Sequence, residues 1–215
     1  MIGHVTGNMA FMMWPSTKDC QSIEPVVVAV AGVAGSGKST LGRALATALR
    51  APLLDLDSLT NPLLNCLPAE IFGGHWLASP HSAAVRAGRY AALCAVTRDT
   101  VAAVGRAVLV APFTAELRGG ADWDRLRAAA GAGLRIVHID GDADLFAARR
   151  ARRSADRDRH RAALPPAPPP AIPVLAVDGA LGTDQQLRRV LAEIAPSRQM
   201  HIEADGSGVH RPNLA

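Results

Sequence analysis

The sequence predicts an α/β fold in which a five-stranded parallel sheet lies between two layers of helices, and two observations carry the prediction. Apolar, β-branched runs alternate with helical patterns along most of the chain. The first run, Val26 to Ala31, leads directly into Gly32-Val33-Ala34-Gly35-Ser36-Gly37-Lys38-Ser39 and then into an Ala/Leu-rich helical stretch. Those eight residues spell G-x-x-x-x-G-K-S, a P-loop in the strand-to-helix setting its mechanism requires, so the expected class is a three-layer P-loop NTPase. Glycines let the backbone curl its N–H groups around a phosphate, and the following helix turns its positive end to the same point. Gly32 to Thr40 are therefore the candidate nucleotide-binding residues, with Lys38 reaching the β and γ phosphates and the Ser39 hydroxyl on Mg²⁺.

The helix that follows is expected to bury Leu41, Ala44, Leu45 and Leu49 and to end before Ala51-Pro52. Leu53-Leu54-Asp55-Leu56-Asp57 reads as a second strand, whose alternation sets Asp55 and Asp57 on one side at the carboxyl end, where open α/β sheets bind ligands. The competing reading makes Asp57 or Ser58 a helix cap. Residues 60–80 mix Pro and Gly with Leu, Phe and Trp, as a short helix and a loop over the sheet would; His75 and Trp76 fit a pocket wall there, although a lone Trp is more often simply packed.

A long helical pattern runs from His81 to Val104, with Ala84, Val85, Ala91, Leu93, Val96 and Val101 among its apolar positions and Arg86, Arg89, Arg98 and Asp99 among its polar ones. Gly105 ends it. Ala107 to Phe113 is the third strand, and it lacks the Asp-Glu ending with which a motor ATPase holds its metal and water. A helix over Trp123–Ala130, a strand over Leu134–Ile139, the turn Asp140-Gly141-Asp142 and an arginine-rich helix from Ala143 to Arg153 follow. A charged flap over 154–163 and a Pro-rich return lead to the fifth strand, Val174–Val177, and a closing helix capped by Thr183 that packs Leu187, Val190, Leu191 and Ile194.

At 215 residues and 49% hydrophobic content the chain can bury one sizeable core, expected over 25–196. Residues 1–24, in which Met9, Met12 and Met13 offer alternative starts, read as a disordered leader, and 197–215 as a disordered tail. No run approaches the ~18 apolar residues of a membrane span and no signal peptide is visible, so the expected location is the cytoplasm. Cys20, Cys66 and Cys94 have neither disulfide nor zinc spacing, and His138 in an apolar strand reads as a packed residue rather than a ligand. A net charge of +4 with only 4% aromatic residues weighs against a nucleic-acid surface. The excess gathers in Arg149, Arg150, Arg152, Arg153, Arg157, Arg159 and Arg161, which suits either a lid over a nucleotide or a solvated helix face.

Taken together, the P-loop, the Asp-x-Asp after the second strand and the arginine cluster after the fourth resemble the small P-loop kinases, above all the gluconate kinase and shikimate kinase group, over about 26–195. Chloramphenicol phosphotransferases and zeta-type toxins share the plan. The resemblance implies a sheet order of 2-3-1-4-5, a lid over about 149–163 beginning at Arg149-x-x-x-Arg153, and aspartates lying between Mg²⁺ and an acceptor hydroxyl. Leu59-Thr60 replaces the His-Pro of gluconate kinases and the Gly-rich shikimate motif is missing, so no sugar acid is assigned.

The expected activity is ATP- and Mg²⁺-dependent phosphorylation of a small-molecule hydroxyl by a monomer or homodimer. Lys38 would hold phosphates, Ser39 and Asp55 the metal, Asp57 the acceptor hydroxyl, and Arg149 or Arg153 the moving charge. Arg86, Arg89 and Arg118 are further acceptor candidates. A nucleotide-dependent switch and a nucleic-acid end kinase are the competing functions.

Overall fold

A computed structural model describes residues 25–153 and 168–194. The expected leader over 1–24, most of the expected lid (154–163) and the tail over 197–215 lie outside the described residues. Chain order is β1 (Val26–Gly32), α1 (Lys38–Leu49), β2 (Leu53–Asp55), α2 (Leu56–Cys66), α3 (Ser82–Val104), β3 (Arg106–Val110), α4 (Gly120–Ala130), β4 (Leu134–Asp140), α5 (Ala143–Arg153), β5 (Leu175–Asp178) and α6 (Thr183–Ile194). Short 3₁₀ turns occupy Ala69–Phe72 and Glu116–Arg118. The sheet has the expected order β2-β3-β1-β4-β5, and every pairing is parallel.

The period of two along the central strands divides the core into two layers. Val27, Ala29 and Ala31 of β1, with Ala107 and Leu109 of β3, pack on one face against Leu93 of α3 and Leu126 and Ala130 of α4. Val28, Val30, Val108 and Val110 pack on the other against Leu41 and Leu45 of α1, Phe146 of α5 and Val190 of α6. With β1 between β3 and β4, its carboxyl end and the P-loop emerge at the centre of one sheet edge.

Four elements differ from the sequence expectations. β2 stops at Asp55, because that carboxylate accepts hydrogen bonds from the N–H groups of Asp57 and Ser58 and so caps α2. Asp57 therefore sits in the first turn of a helix and does not share an extended segment with Asp55. β3 ends at Val110, three residues early, where Pro112 and the left-handed Phe113 turn the chain away. α6 is capped from Gly182 rather than Thr183: the Gln185 side chain reaches back to the Gly182 N–H at 3.3 Å, while the Gly182 carbonyl accepts from the backbone of Gln185 and Gln186. In α3 the inward positions include Arg86, Arg89, Tyr90, Leu93 and Thr97, so two of the residues named among its polar positions point into the molecule, while Ala84, Ala91 and Val96 are exposed.

At Gly42 helix α1 packs tightly on β3. A Cβ there would run into Cγ2 of Val110, a β-branched side chain that has no other rotamer to retreat to in a filled core. Alanine in a helix ordinarily gains ~1 kcal/mol over glycine. Here the overpacking cost of about 1–3 kcal/mol should win. Gly42→Ala is expected to lower stability in urea unfolding, and Val110→Ala in the same chain to recover part of the loss; a more stable Gly42→Ala single variant would contradict this packing.

Candidate active site

The site is built at the carboxyl ends of β1, β2 and β3. After β1 the chain makes the P-loop and enters α1 at Gly37, whose φ of 97° is left-handed and which brings no side-chain cap to the helix. The first turn of α1 also lacks an acidic residue, so the positive end of the helix is open to an anion. Gly35, at φ 84°, has a second constraint: a Cβ would strike the Phe146 carbonyl of α5 and lie 2.9 Å from Arg150 Cγ. Any side chain here would therefore push α5 off the loop.

Inside the loop, the Ser36 hydroxyl is fully buried and is the one buried side-chain polar atom among the described residues without a hydrogen-bond partner. Lys38 Nζ donates to the Val33 carbonyl at 2.9 Å, which folds the ammonium back over the loop. Ser39 Oγ donates to Asp55 Oδ2 at 3.0 Å, while Asp55 Oδ1 accepts the two α2 N–H bonds. Lys38, Ser39, Thr40, Asp55 and Asp57 line one cavity together with Gly35, Gly37 and the end of β3. At that end Val110, Ala111 and Pro112 offer no carboxylate. Gly32 closes β1, and Val33 and Ala34 form the outer rim of the loop.

A second cavity adjoins the first and shares Leu56 and Pro112 with it. Its walls include Trp76, Leu77, Val85 and Tyr90, and its charged residues are Arg86 and Arg89. Arg89 donates to Asp57 Oδ1 at 2.7 Å, Thr60 Oγ1 at 2.8 Å and Asn61 Oδ1 at 2.9 Å. Arg86 donates to both Glu116 oxygens, at 3.2 and 3.0 Å, and its guanidinium lies 4.2 Å from the Tyr90 ring centroid. Trp76 packs here as a wall, with its indole N–H on Asn65 Oδ1 at 2.9 Å. Arg118 is exposed and outside this cavity.

The sequence profile of the AAA domain family matches residues 27–165. This chain belongs to that family. The AAA domain described here is also similar to the shikimate kinase of Synechococcus sp. (strain JA-3-3Ab), 36% identical over 92 residues, or 43% of this chain and 48% of that one. The chain thus spans about half the length of the curated relative it matches. Solved structures with the same fold include a gluconokinase from Sinorhizobium meliloti 1021 (24% identity, TM-score 0.56, covering 80% of this chain and 92% of that one). A sugar kinase from Janibacter sp. HTCC2649 aligns with 20% identity and a TM-score of 0.57 over 80% of this chain and 96% of its own. The APS kinase of Mycobacterium tuberculosis, solved with AMPPNP and APS, aligns with 23% identity and a TM-score of 0.56 over 79% and 96%. The expected resemblance to the gluconate and shikimate kinase group is thereby met.

On α5 of this AAA domain the arginine bonded to the P-loop is one that the sequence offered only as part of the arginine cluster, not as a catalytic candidate. Arg150 Nη1 donates to the Ala34 carbonyl at 2.8 Å, whereas Arg149 Nη1 donates to the Gly179 carbonyl, also at 2.8 Å, beyond β5. Arg153 closes α5, and its side chain lies outside the described residues. The signal for Arg150 was its spacing of four from the buried Phe146, which puts both on the face of α5 that meets Gly35.

The end of β3 is held by an unusual conformation. Phe113 is fully buried with φ 50°, a region a bulky residue rarely enters, at a cost of order 1–3 kcal/mol. Its N–H donates to the Tyr90 hydroxyl at 3.0 Å and its ring meets the Tyr90 ring edge-on at 6.0 Å. Burial, and then the Glu116 charge, push the Tyr90 hydroxyl well above its ordinary value, so it stays a neutral partner. Burial also pushes the Glu116 carboxyl up, against the opposing pull of Arg86. Removing one partner of a buried ion pair costs ~3–5 kcal/mol. Arg86, with 35% of its side chain exposed, puts this pair below that range.

Because native Glu116 holds its proton more tightly than the unfolded chain does, it lowers stability as pH rises from its ordinary 4.5 through its raised native value. Glu116→Gln should remove that part of the slope in urea unfolding across this window. An identical pH profile for wild type and variant would show that the carboxyl is solvated.

Proposed function

We propose that this chain is a kinase that transfers the γ-phosphoryl group of ATP, with Mg²⁺, to a hydroxyl of a small molecule held in the second cavity. The observation that carries the reading is the junction of the cavities: Leu56 and Pro112 belong to both, and the Asp57–Arg89 pair reaches from one into the other. A phosphate acceptor needs such a neighbouring chamber; a nucleotide switch does not. The kinase names of the relatives, and the AMPPNP and APS of one of them, support the same reading.

In this proposal the loop 32–40 and Lys38 hold the phosphates, supported by the positive end of α1, which no side chain caps. Ser39 and Asp55 supply hard oxygen atoms of the kind Mg²⁺ takes beside phosphate and water oxygens; bound there, the ion would neutralise phosphate charge. Asp57, oriented by Arg89, aligns the acceptor hydroxyl and takes its proton. The hydroxyl oxygen forms its bond to the γ phosphorus as the bond to the bridging oxygen breaks, and ADP leaves. Arg149, Arg150 and Arg153 are the candidates for steadying the moving charge, and Arg150 is bonded to the loop. The domain limits of 25–196, the lid over 149–163 and a cytoplasmic location belong to this proposal. Among the described residues, no helix is long and apolar enough to cross a membrane.

At ~100 times its Kd, Mg²⁺-ATP should stabilise the protein by about 2.7 kcal/mol. A thermal melt should show that shift in wild type and little of it in Lys38→Ala; no shift in wild type would contradict a working P-loop. Asp57→Asn should cut phosphoryl transfer by ~10² to 10⁴ while ATP affinity stays within a few-fold. Product can be followed by ³¹P resonance over a panel of alcohols, and full transfer by Asp57→Asn would remove the proposed role.

A further inference from the structure

The second cavity contains two arginines, yet each is already paired with a carboxylate of the chain. Arg89 is spent on Asp57, Thr60 and Asn61, and its guanidinium sits 4.9 Å from the Trp76 ring centroid, so it is held on several sides at once. Arg86 is held by both oxygens of Glu116 and by the face of Tyr90. The Glu116 side chain is only 4% exposed, so drawing Arg86 away would leave a carboxylate unpaired among apolar groups. Among the described residues, the other walls of this cavity are uncharged: Leu56, Trp76, Leu77, Val85, Pro112 and the hydroxyl groups of Ser82, Tyr90 and Thr114.

An anionic acceptor would have to compete with Asp57 and Glu116 for both cations. A neutral molecule meets no such opposition. It can take hydrogen bonds from the N–H groups of Arg86 that do not face Glu116 and place apolar surface against Leu77 and Val85.

Building on the kinase reading of this site, we propose that the acceptor is an uncharged alcohol with an apolar body rather than a hydroxy acid, and that the Arg86–Glu116 pair enforces the choice. Glu116 acts here as a positioning residue that discriminates by charge, without touching the reacting atoms.

The test uses matched probes that share shape and hydroxymethyl group and differ in charge, such as 1,4-benzenedimethanol against 4-(hydroxymethyl)benzoate, together with cyclohexane and sugar-alcohol pairs of the same design. Binding to the full chain is read from Trp76 fluorescence, with Trp76→Phe as the blank. Wild type should bind the neutral member of the best pair at least tenfold more tightly. Glu116→Gln, which leaves Arg86 with an unbalanced charge, should narrow that ratio at least tenfold. The wild-type comparison needs no variant, so the proposal can fail even if Glu116→Gln does not fold. It is overturned if the best binder is an anion, if no neutral probe binds saturably, or if folded Glu116→Gln leaves the ratio unchanged. Phosphoryl transfer from Mg²⁺-ATP is measured separately on the same probes. Neutral binding without transfer would sink the kinase reading and leave the charge preference standing, whereas transfer to the anions would do the reverse.

Discussion

The site depends on one buried carboxylate with two obligations. Asp55 is 9% exposed, at the last position of β2, and uses one oxygen to receive Ser39 from the P-loop and the other to cap α2. A cap of this kind is worth ~1 kcal/mol to the helix. Its larger effect is geometric: it fixes where α2 begins, and so where Asp57 stands relative to the loop. Asp57 then receives Arg89 from α3, and through Arg89 the wall of the second cavity is tied to the nucleotide side. The chain of contacts runs from Ser39 to Asp55, through one helical turn to Asp57, and across to Arg89 without leaving the carboxyl edge of the sheet.

The opposite wall is set by β3. Because Val110, Ala111 and Pro112 bring no carboxylate to the loop, the acidic groups at the P-loop cavity come from the β2–α2 junction alone among the described residues. The left-handed turn at Phe113 carries the chain off the sheet and brings Glu116 to Arg86. Packing against Tyr90 and complete burial hold that strained turn in place. The resulting cavity balances each cation with an anion already within the protein, an arrangement suited to selecting acceptors by charge.

Much of this was legible in the sequence because it rests on local rules. The P-loop is readable from eight consecutive residues, and β1 and α1 follow from the periodicity around it. Strand order came from resemblance, since periodicity says nothing about which strands are neighbours. Asp57 was misplaced because Leu53-Leu54-Asp55-Leu56-Asp57 keeps strand alternation to the end, and the decision to start a helix lies in hydrogen bonds that Asp55 makes to the backbone ahead of it. Arg86 and Arg89 were legible as polar positions of α3 and as acceptor candidates, but not as members of ion pairs. Their partners, Glu116 and Asp57, lie 30 and 32 residues away, and the pairing is invisible to any local window. Arg149 was favoured over Arg150 by a motif spacing, while the helical phase of Phe146 decides which of them meets the loop.

In the proposed site Ser39 and Asp55, joined by a hydrogen bond, act as one unit at the nucleotide. A double-mutant cycle with Ser39→Ala, Asp55→Ala and the pair, reading Mg²⁺-dependent ATP affinity by calorimetry, measures that coupling directly. Groups that share one site are expected to show an interaction energy of ~0.5–3 kcal/mol, so the double variant should lose much less than the sum of the singles. Losses that add would contradict the account and reduce Asp55 to a helix cap.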